Sequence, residues 1–389
     1  MKKSPKDIKP FAYPVYFVTV VALIISGLLI SGYLFRSHYL NYTDITYQSF
    51  CAISTSINCD TVSQSLYSIL FGVPVAVWGI IGYTFLLGLV IPGWRRSALE
   101  ARNWAIILWM ALAFSIVSIW FAAISTFLIH SYCIMCIGIY LVSFFTLWFS
   151  WLIHRRFATR GLLADTVGDL NFLWQRRRLL TPLVSVALLG MIALMVFMPP
   201  YWHMTSARLS QSVPSGLTAE GHPWIGAVHP KIEIEMYSDY QCFQCRKIHF
   251  YLRQIIARHP DTIRIVHRHF PMDHTVNPIV KKPFYIGSGK MALLAMFAAS
   301  KGKFFEMNDL LFDLAAKQKQ INLKWLAQKT GLKPDDLFRS LNDPRLRQKL
   351  AGDIRKGIEL RLVGTPGFVI DNEVYIGKLP AKVLEKYFN

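Results

Sequence analysis

The sequence has little charge for its length. Of its 389 residues only 17% are Asp, Glu, Lys or Arg, against about 25% in typical soluble proteins, while 53% are hydrophobic. This composition excludes a disordered chain, which combines high charge with low hydrophobicity. It also argues against an ordinary soluble enzyme.

The sequence also lacks the motifs of several enzyme classes. No glycine-rich phosphate-binding loop and no Ser-His-Asp arrangement is evident. Six cysteines in this length are too few for a disulfide-stapled miniprotein. His267, His269 and His274 have no supporting cysteine or carboxylate spacing, so we expect no metal. The net charge of +19 includes arginines between apolar runs, so nucleic acid is not an expected partner.

Charge is absent from four long stretches, which are Phe11–Phe35, Thr61–Trp94, Asn103–Ile153 and Leu179–Ala207. A membrane-spanning helix needs about 20 apolar residues, so the third stretch has room for two spans joined by a turn at 130–132. We predict five transmembrane helices, at about 14–35, 68–91, 104–129, 133–153 and 180–198. The alternative is five buried helices of a soluble protein, but those are shorter and have a polar face.

Lys and Arg alternate between the two sides of these spans. Four lysines precede the first span, and arginines occupy the 93–102 loop and the 154–178 segment, whereas the 36–60 loop has only Arg36. The positive-inside rule therefore places the N-terminus in the cytoplasm. The first span is too long for a signal peptide, so we expect it to be retained. All six cysteines then face outward, where disulfides are permitted.

Beyond Pro200 the sequence has the composition of a soluble domain. Residues 201–230 resemble a linker. We then predict a strand at 231–237, a helix opened by Cys242-Phe-Gln-Cys245, a strand at 262–269, a helix-rich stretch at 288–361, strands at 368–370 and 374–376, and a closing helix. A bare CxxC is a modest signal, but strand, helix and a later Gly-Thr-Pro in this order make it strong.

This order of elements resembles the thioredoxin fold, and the helical insertion resembles its DsbA-like branch, over about residues 225–389. The resemblance implies that Cys242 is the nucleophile, since a helix N-terminus lowers a cysteine pKa, and that Cys245 is the more buried resolving residue. Thr365 and Pro366 would form the cis-proline loop beside the dithiol.

Two departures from the family pattern leave the redox potential open. Phe243 and Gln244 stand between the cysteines, and Met236 occupies a position where many thioredoxins have a buried acid. The alternative to a redox dithiol is a structural disulfide or half a zinc site. A zinc site needs further ligands, and the domain has no other cysteine.

Two more cysteine pairs lie in the membrane part. Cys51 and Cys59 are in the first outward loop, and Cys133-Ile-Met-Cys136 opens the fourth span. With Ser65 and the stretch Tyr67-Ser-Ile-Leu-Phe-Gly-Val-Pro74, this arrangement resembles the vitamin K epoxide reductase family. The form it resembles is bacterial and fused to a thioredoxin-like domain, and the match covers about residues 10–155.

The family resemblance implies an order of electron transfer. Cys136 would face a quinone (ubiquinone or menaquinone), Cys133 would exchange with Cys59, and Cys51 would exchange with Cys242. It also implies that two polar residues, Ser65 and Tyr140, lie near the quinone. A helix-start cap is the alternative for Ser65, and simple aromatic packing is the alternative for Tyr140.

We therefore predict a multi-domain protein, with a four-helix membrane bundle and a fifth transmembrane helix followed by an α/β thioredoxin-like domain. The predicted boundaries are 1–158 for the bundle, 159–224 for the cytoplasmic segment, fifth helix and linker, and 225–389 for the DsbA-like domain.

The predicted function is that of a quinone-dependent thiol-disulfide oxidoreductase of the bacterial inner membrane. Its expected partners are reduced exported proteins, the membrane lipid and quinone pool, and its own second domain. Use as a disulfide isomerase or reductase is one alternative. A transporter or sensor with structural disulfides is another, although no charged residue lies within the predicted spans to support transport.

Overall fold

The structure is a computed structural model that describes residues 11–45, 47, 49–51, 57–91, 103–158, 161–197, 199–202, 213–317 and 319–380. It divides into two compact units, the first made of Met1–Thr43 and Tyr47–Tyr201, the second of Asp44–Thr46 and Trp202–Asn389. Several predicted features lie outside the described residues: the four lysines before the first span, the 93–102 loop with its arginines, residues 203–212 of the linker, and the short closing helix, which falls beyond residue 380.

The first unit is helical. Its described helices are α1 (Tyr13–Thr43), α2 (Cys59–Ser63), α3 (Val75–Val90), α4 (Trp104–Ile124), α5 (Ile134–Phe157), α6 (Leu162–Gln175) and α7 (Arg177–Phe197). An apolar core joins α1, α3, α4 and α5 through residues such as Ile24, Leu86, Ile107 and Ile153. Residues of these four helices also line a cavity whose wall includes Cys59, Cys133 and Cys136.

Three helices among the described residues are long and apolar enough to cross a membrane. They are α1, α4 with the wider turn that continues it to Ile129, and α5. The first, third and fourth predicted spans are thus confirmed as long apolar helices. The predicted fifth span falls within α7, and its membrane crossing stays a prediction.

The second predicted span, 68–91, is wrong over its first seven residues. A short hairpin pairs β1 (Ile69–Leu70) with β2 (Val73–Pro74), and α3 begins only at Val75 and has 16 residues. The two turn residues, Phe71 and Gly72, have φ of 52° and 73°, as a tight hairpin turn requires. The apolar composition of this stretch predicted a helix, because composition alone does not reveal that the backbone reverses at these two residues.

The second unit is built on a six-stranded sheet. Its strands are β3 (Ser215–Leu217), β4 (Pro223–Gly226), β5 (Ile232–Ser238), β6 (Ile263–His269), β7 (Gly367–Ile370) and β8 (Glu373–Ile376), in the order β3-β4-β6-β5-β7-β8. The central pair β5 and β6 is parallel, and the other neighbours are antiparallel.

Helices complete this unit: α8 (Phe243–Arg258), α9 (Ser288–Ser300), α10 (Phe304–Ala316), α11 (Leu323–Thr330), α12 (Pro334–Ser340) and α13 (Pro344–Glu359). Met236 and Tyr237 are adjacent on β5 but belong to different hydrophobic clusters, one with α8 and the other with α13. Side chains alternate along a strand, so the sheet lies between two apolar layers. The predicted thioredoxin-like order of elements is confirmed.

The prediction of a linker at 201–230 is wrong over residues 215–217 and 223–226, which form β3 and β4. Trp224 pairs with Val266 of β6, so the sheet begins before residue 225. These strands are short and contain Pro and Gly, which made them resemble a linker. Gly226 is required at its position, because its φ is 119° and a Cβ there would lie 2.0 Å from the carbonyl oxygen of Ile263.

Candidate active site: two CxxC dithiols and a loop disulfide

The CxxC of the second unit lies at the start of α8. Cys242 is the N-cap residue, and its sulfur accepts a hydrogen bond from the backbone N–H of Cys245 at 3.2 Å. The Cys242 thiol donates to the carbonyl oxygen of Thr365 at 3.4 Å, and the Thr365–Pro366 peptide bond is cis. The structure thus places the predicted nucleophile, resolving cysteine and proline loop together.

The two cysteines of this pair differ in exposure. Cys242 is 5% exposed and Cys245 is fully buried. Burial raises the pKa of the Cys245 thiol well above its ordinary value. Cys242 is therefore the more accessible sulfur of the pair.

Asp239, which the sequence analysis did not single out, lies beside this dithiol. Its carboxylate is buried and accepts hydrogen bonds from the backbone N–H groups of Gln241 and Met272 and from the Ser288 hydroxyl. Burial raises its pKa to about 6. The sequence feature that could have identified Asp239 is its position, as an acidic residue in the turn between a buried strand and the CxxC.

The four cysteines of the first unit lie in one place. Cys51, Cys59 and Cys133 form a buried cluster, and Cys136 packs against it. A disulfide joins Cys51 to Cys59, with their Cα atoms 5.7 Å apart. Cys133 is the N-cap residue of α5, and its sulfur accepts a hydrogen bond from the backbone N–H of Cys136 at 3.1 Å.

Backbone contacts hold the loop disulfide against the membrane dithiol. The N–H of Asn58 donates to the carbonyl oxygen of Tyr132 at 2.9 Å, immediately before Cys133. The Asn58 side chain also caps α2, whose first residue is Cys59. The register of this contact therefore brings Cys59 to the start of α5.

A buried carboxylate, that of Asp60, ties this loop to α1. It accepts a hydrogen bond from the Asn41 amide at 3.0 Å and another from the backbone N–H of Ser49 at 3.1 Å. The residue next to Cys59 therefore anchors the segment that leads to Cys51. Sequence reasoning gave Asp60 no role, because the hydrogen bonds to Asn41 and Ser49, 19 and 11 residues away, depend on how the loop folds back on α1.

A cavity of about 490 Å³ opens beside the membrane dithiol. Its wall is mostly apolar, and it includes Cys59, Cys133, Cys136, Ser65 and Tyr140. Cys133 is 2% exposed, whereas Cys136 is partly exposed. The size and lining of this cavity suit an apolar ligand, and its wall offers Cys136 as the more accessible sulfur of the pair.

The predicted pocket residues Ser65 and Tyr140 both line this cavity. Ser65 precedes the turn at 66–68, but its hydroxyl donates to the carbonyl oxygen of Val62 and does not cap that turn. His38, which was not predicted, also lines the cavity and hydrogen-bonds to the hydroxyls of Ser68 and Tyr201.

No group of three or more potential metal ligands occurs among the described residues. His267 and His269 are buried, with Tyr240 stacked on His267 at 6.1 Å between ring centroids. His274 lies next to the carboxylate of Asp273.

The arrangement defines a class of protein: a helical unit of membrane type and a thioredoxin-fold unit, each with a CxxC at a helix start. Comparison with family models agrees. Residues 18–151 match the Vitamin K epoxide reductase family, and residues 233–389 match the DSBA-like thioredoxin domain. The resemblance predicted for both regions is confirmed, and the chain is a thiol-disulfide oxidoreductase with apolar helices that indicate a membrane protein.

Solved structures similar to this chain cover less than half of it. A thioredoxin-like oxidoreductase from Silicibacter pomeroyi is 20% identical to this chain. The match covers 43% of this chain and 90% of that protein's chain, with a TM-score of 0.34. BdbD from Bacillus subtilis, in its oxidised form, is 18% identical, with coverages of 45% and 96% and a TM-score of 0.36. A comparison with curated proteins finds no significant match.

Proposed function

We propose that this protein oxidises the thiols of exported proteins and passes the electrons to a membrane quinone. The path runs from Cys242 and Cys245 through the loop disulfide to the dithiol of α5. The observation that carries this proposal is the buried cluster of Cys51, Cys59 and Cys133 at the wall of an apolar cavity. That cluster puts a disulfide and a dithiol within one exchange site.

Each transfer is a pair of thiolate attacks. The Cys242 thiolate attacks Cys51, which forms a mixed disulfide and releases the Cys59 thiolate. Cys245 then attacks Cys242, which restores the Cys242–Cys245 disulfide and releases Cys51. One dithiol has lost two electrons and two protons, and the loop pair has gained them.

The loop dithiol passes the electrons on in the same manner. The Cys59 thiolate attacks Cys133 of the Cys133–Cys136 disulfide, and Cys136 leaves as thiolate. Cys51 then attacks Cys59 and releases Cys133. At the helix start the Cys133 sulfur accepts a hydrogen bond from the backbone N–H of Cys136.

The residues of the cavity fit a quinone. Ser65 and Tyr140 offer hydroxyl groups in a mostly apolar wall that also includes His38 and several serines, and Cys136 is the sulfur with access to it. A bound quinone would supply the two-electron oxidation of the Cys133–Cys136 dithiol. The role of the chain is to hold that dithiol at the wall and to keep bulk water away from it.

Charge placement supports an orientation in the bacterial cytoplasmic membrane. Cys133 precedes α5, while Arg155 and Arg156 lie in its last turn, at the opposite end. The positive-inside rule puts the arginine end in the cytoplasm. The N-terminus would then be cytoplasmic, and the cysteines and the second unit would face the periplasm or the outside.

Quinone reduction by the purified full chain in detergent tests the proposal. A reduced dithiol peptide is the electron donor and a soluble ubiquinone analogue is the acceptor. We expect Cys136→Ser to stop quinone reduction and Ser118→Ala, at another position of the cavity wall, to preserve it. Quinone reduction at the normal rate by Cys136→Ser would refute the assignment.

The link between the two units has its own test. A Cys59→Ala, Cys245→Ala double variant should accumulate a mixed disulfide between Cys51 and Cys242, detected by mass spectrometry of a non-reduced digest. Adding Cys51→Ala is the matched control and should abolish the species. If the double variant forms no such link, the internal relay is refuted, and each unit uses a separate partner.

The direction of exchange follows from the potential of the Cys242–Cys245 pair. A value near that of DsbA, about −120 mV, supports oxidation of substrates, and one near thioredoxin, about −270 mV, supports the reductase or isomerase alternative. The measurement uses the full chain with its four other cysteines replaced by alanine.

A further inference from the structure

The helix α6 lies at the end of the helical unit opposite Cys133, and polar side chains hold it to the bundle. The Asp169 carboxylate is buried and accepts hydrogen bonds from the backbone N–H of Asn103, at 2.7 Å, and from two further N–H groups at the start of α4. The Asp165 carboxylate lies 3.0 Å from Nε2 of His154, in the last turn of α5. The polar groups of α6 thus face the protein.

The helix α6 lies beside the first turns of α4, not beyond their end. Nε1 of Trp109 donates a hydrogen bond to the Thr166 hydroxyl at 3.2 Å. Trp109 is about 7.5 Å along the helix axis from Trp104, the first residue of α4. Because α4 is long and apolar enough to cross a membrane, α6 lies at the level where this span enters the bilayer. In-plane membrane helices occupy this boundary.

The side of α6 that faces away from the bundle is apolar. Leu163, Val167, Leu170 and Trp174 recur at the spacing of one helix face, and each is more than half exposed. Leu173 points the other way and packs against the core of the bundle. The outward face of a helix on a soluble protein is normally polar, so this apolar stripe, Leu163 to Trp174, is suited to an apolar neighbour.

The outer surface of α4 continues the apolar stripe. Leu112 and Ile116 share a helix face with Trp109, which bonds to α6, and all three are exposed. Such residues face lipid in a membrane bundle. The apolar stripe therefore lies next to a surface that lipid covers, and this favours lipid over a protein as its neighbour.

Arginines follow the apolar stripe. Arg176–Arg178 are exposed where α6 ends and α7 begins, and the guanidinium of Arg177 lies over the Trp174 ring at 5.1 Å. Arg155 and Arg156, in the last turn of α5, add positive charge at the same end of the bundle. Basic residues beside an apolar face at the membrane boundary attract anionic phospholipids.

We propose that α6 is an in-plane membrane helix that binds the anionic phospholipid surface at the arginine end of the bundle. The apolar stripe enters the acyl boundary, and Arg176–Arg178 contact lipid phosphate groups. Asp165 and Asp169 tie the lipid-bound helix to α5 and α4. This inference goes beyond the proposed function and does not depend on any redox step.

Spin labelling in vesicles tests the depth of the apolar stripe. The full chain has its six cysteines replaced by alanine and carries one nitroxide at a time, in vesicles that contain phosphatidylglycerol. We expect the ratio of oxygen to nickel-chelate collisions to be about tenfold higher at Val167→Cys and Leu170→Cys than at Asn171→Cys and Gln175→Cys. The last two positions are matched controls, exposed on α6 outside the apolar stripe.

Two other results of the spin labelling would overturn the proposal. Frequent nickel-chelate collisions at all four positions would show that the apolar stripe lies in water. Protection of Val167→Cys and Leu170→Cys from both reagents would show that protein covers it, and spin–spin broadening would identify that protein as a second copy of this chain.

Hydrogen exchange on the chain with all its cysteines covers a cysteine-free variant that fails to fold. We expect the backbone amides of α6 to exchange about tenfold more slowly in nanodiscs of phosphatidylglycerol than in nanodiscs of phosphatidylcholine, because arginines are attracted to an anionic surface. The triple variant Arg176→Gln, Arg177→Gln, Arg178→Gln should lose this difference. Equal exchange of the parent chain in the two lipids would overturn the proposal.

The matched control for net charge is the triple variant Arg258→Gln, Arg345→Gln, Arg355→Gln. These arginines are exposed in the second unit, and their replacement removes the same three charges. We expect the control to keep the difference between the two lipids. If it loses the difference as fully as the α6 variant does, overall charge and not α6 recognises the lipid, and the proposal is overturned.

Discussion

The two CxxC motifs have the same local geometry in unrelated surroundings. In both, the first cysteine is the N-cap residue of a helix and its sulfur accepts the N–H of the second, at 3.2 Å for Cys242 and 3.1 Å for Cys133. The second cysteine differs. Cys245 is sealed in a hydrophobic core, whereas Cys136 is partly exposed beside an apolar cavity. The two motifs are therefore alike at the first cysteine and differ in what surrounds the second.

The polar support of the two sites also differs. Asp239 accepts hydrogen bonds from three segments near its dithiol. Asp60 accepts hydrogen bonds from α1 and from the loop that leads to Cys51. The first carboxylate joins segments of the thioredoxin-like unit, and the second holds the loop disulfide against α1.

The largest expected effect comes from removing the second cysteine of each motif. Cys136→Ala should stop quinone-linked oxidation while Cys242 still attacks an added disulfide. Cys245→Ala should let Cys242 form a mixed disulfide that persists, because its resolving thiol is gone. Peptide mass spectrometry after a disulfide pulse distinguishes the two outcomes. Identical products from both variants would contradict the division of roles between the motifs.

Packing of the two cores is compared by adding one methyl group to each. A Cβ at Gly357 would lie 2.5 Å from the Phe270 ring, and one at Gly27 would lie 2.5 Å from the Tyr83 ring. We expect either Gly→Ala change to lower the free energy of unfolding by about 1–3 kcal/mol, because the ring must move.

Each of these glycines has a control on its own helix. A Cβ at Gly352 on α13 or at Gly32 on α1 meets nothing within 4 Å. Alanine there should be neutral or stabilising, since it favours a helix. Thermal unfolding of the four variants gives the comparison. If Gly27→Ala is as harmless as Gly32→Ala, the core of the first unit is looser than that of the second.

Acid should weaken the second unit through Asp309. Burial raises the pKa of this carboxyl, but the hydrogen bond with His249 and the charge of Arg253 outweigh burial and lower it to about 2. A carboxyl group whose pKa is lower in the folded state than in the unfolded state stabilises the fold at pH values above its unfolded pKa, which is about 4. This contribution is lost as the pH falls toward 2.

We therefore expect Asp309→Asn to cost about 2 kcal/mol near neutral pH, with the difference from the parent shrinking in acid. Urea unfolding across this pH range measures it. Asp313→Asn, also on α10, removes a partly exposed partner of Arg246 and should cost less than about 1 kcal/mol. An Asp309 penalty that persists undiminished in acid would rule out the charged contacts as its cause.

The smallest expected effect concerns two asparagine caps. Asn322 caps α11 through Trp325 N–H, and Asn58 caps α2 through the N–H groups of Asp60 and Thr61. Replacing either by alanine should cost about 1 kcal/mol locally. For Asn322 thermal unfolding measures this. For Asn58 the sensitive measurement is the rate at which a reductant opens the Cys51–Cys59 disulfide, which we expect to rise.

Sequence patterns predicted most of the elements that carry the cysteines. Uncharged runs located α1, α4 and α5, and alternation located β5 and β6, because these signals are local. The same reasoning failed at Phe71 and Gly72, where the backbone reverses inside an apolar run. It also failed at β3 and β4, which are strands only because β6 offers an edge to pair with.

The residues of the candidate site divide in the same way. The sequence alone showed the six cysteines, their grouping into three pairs along the chain and their positions in a loop or at helix starts. It could do so because the spacing of cysteines and the hydrophobicity of the residues around them are properties of short segments. Only the tertiary structure decided that Cys51, Cys59 and Cys133 share one cluster and that Asp239 joins the segments beside the second dithiol. Such contacts depend on how helices and strands pack. Packing brings together residues from different segments, and no local sequence pattern reveals that they touch.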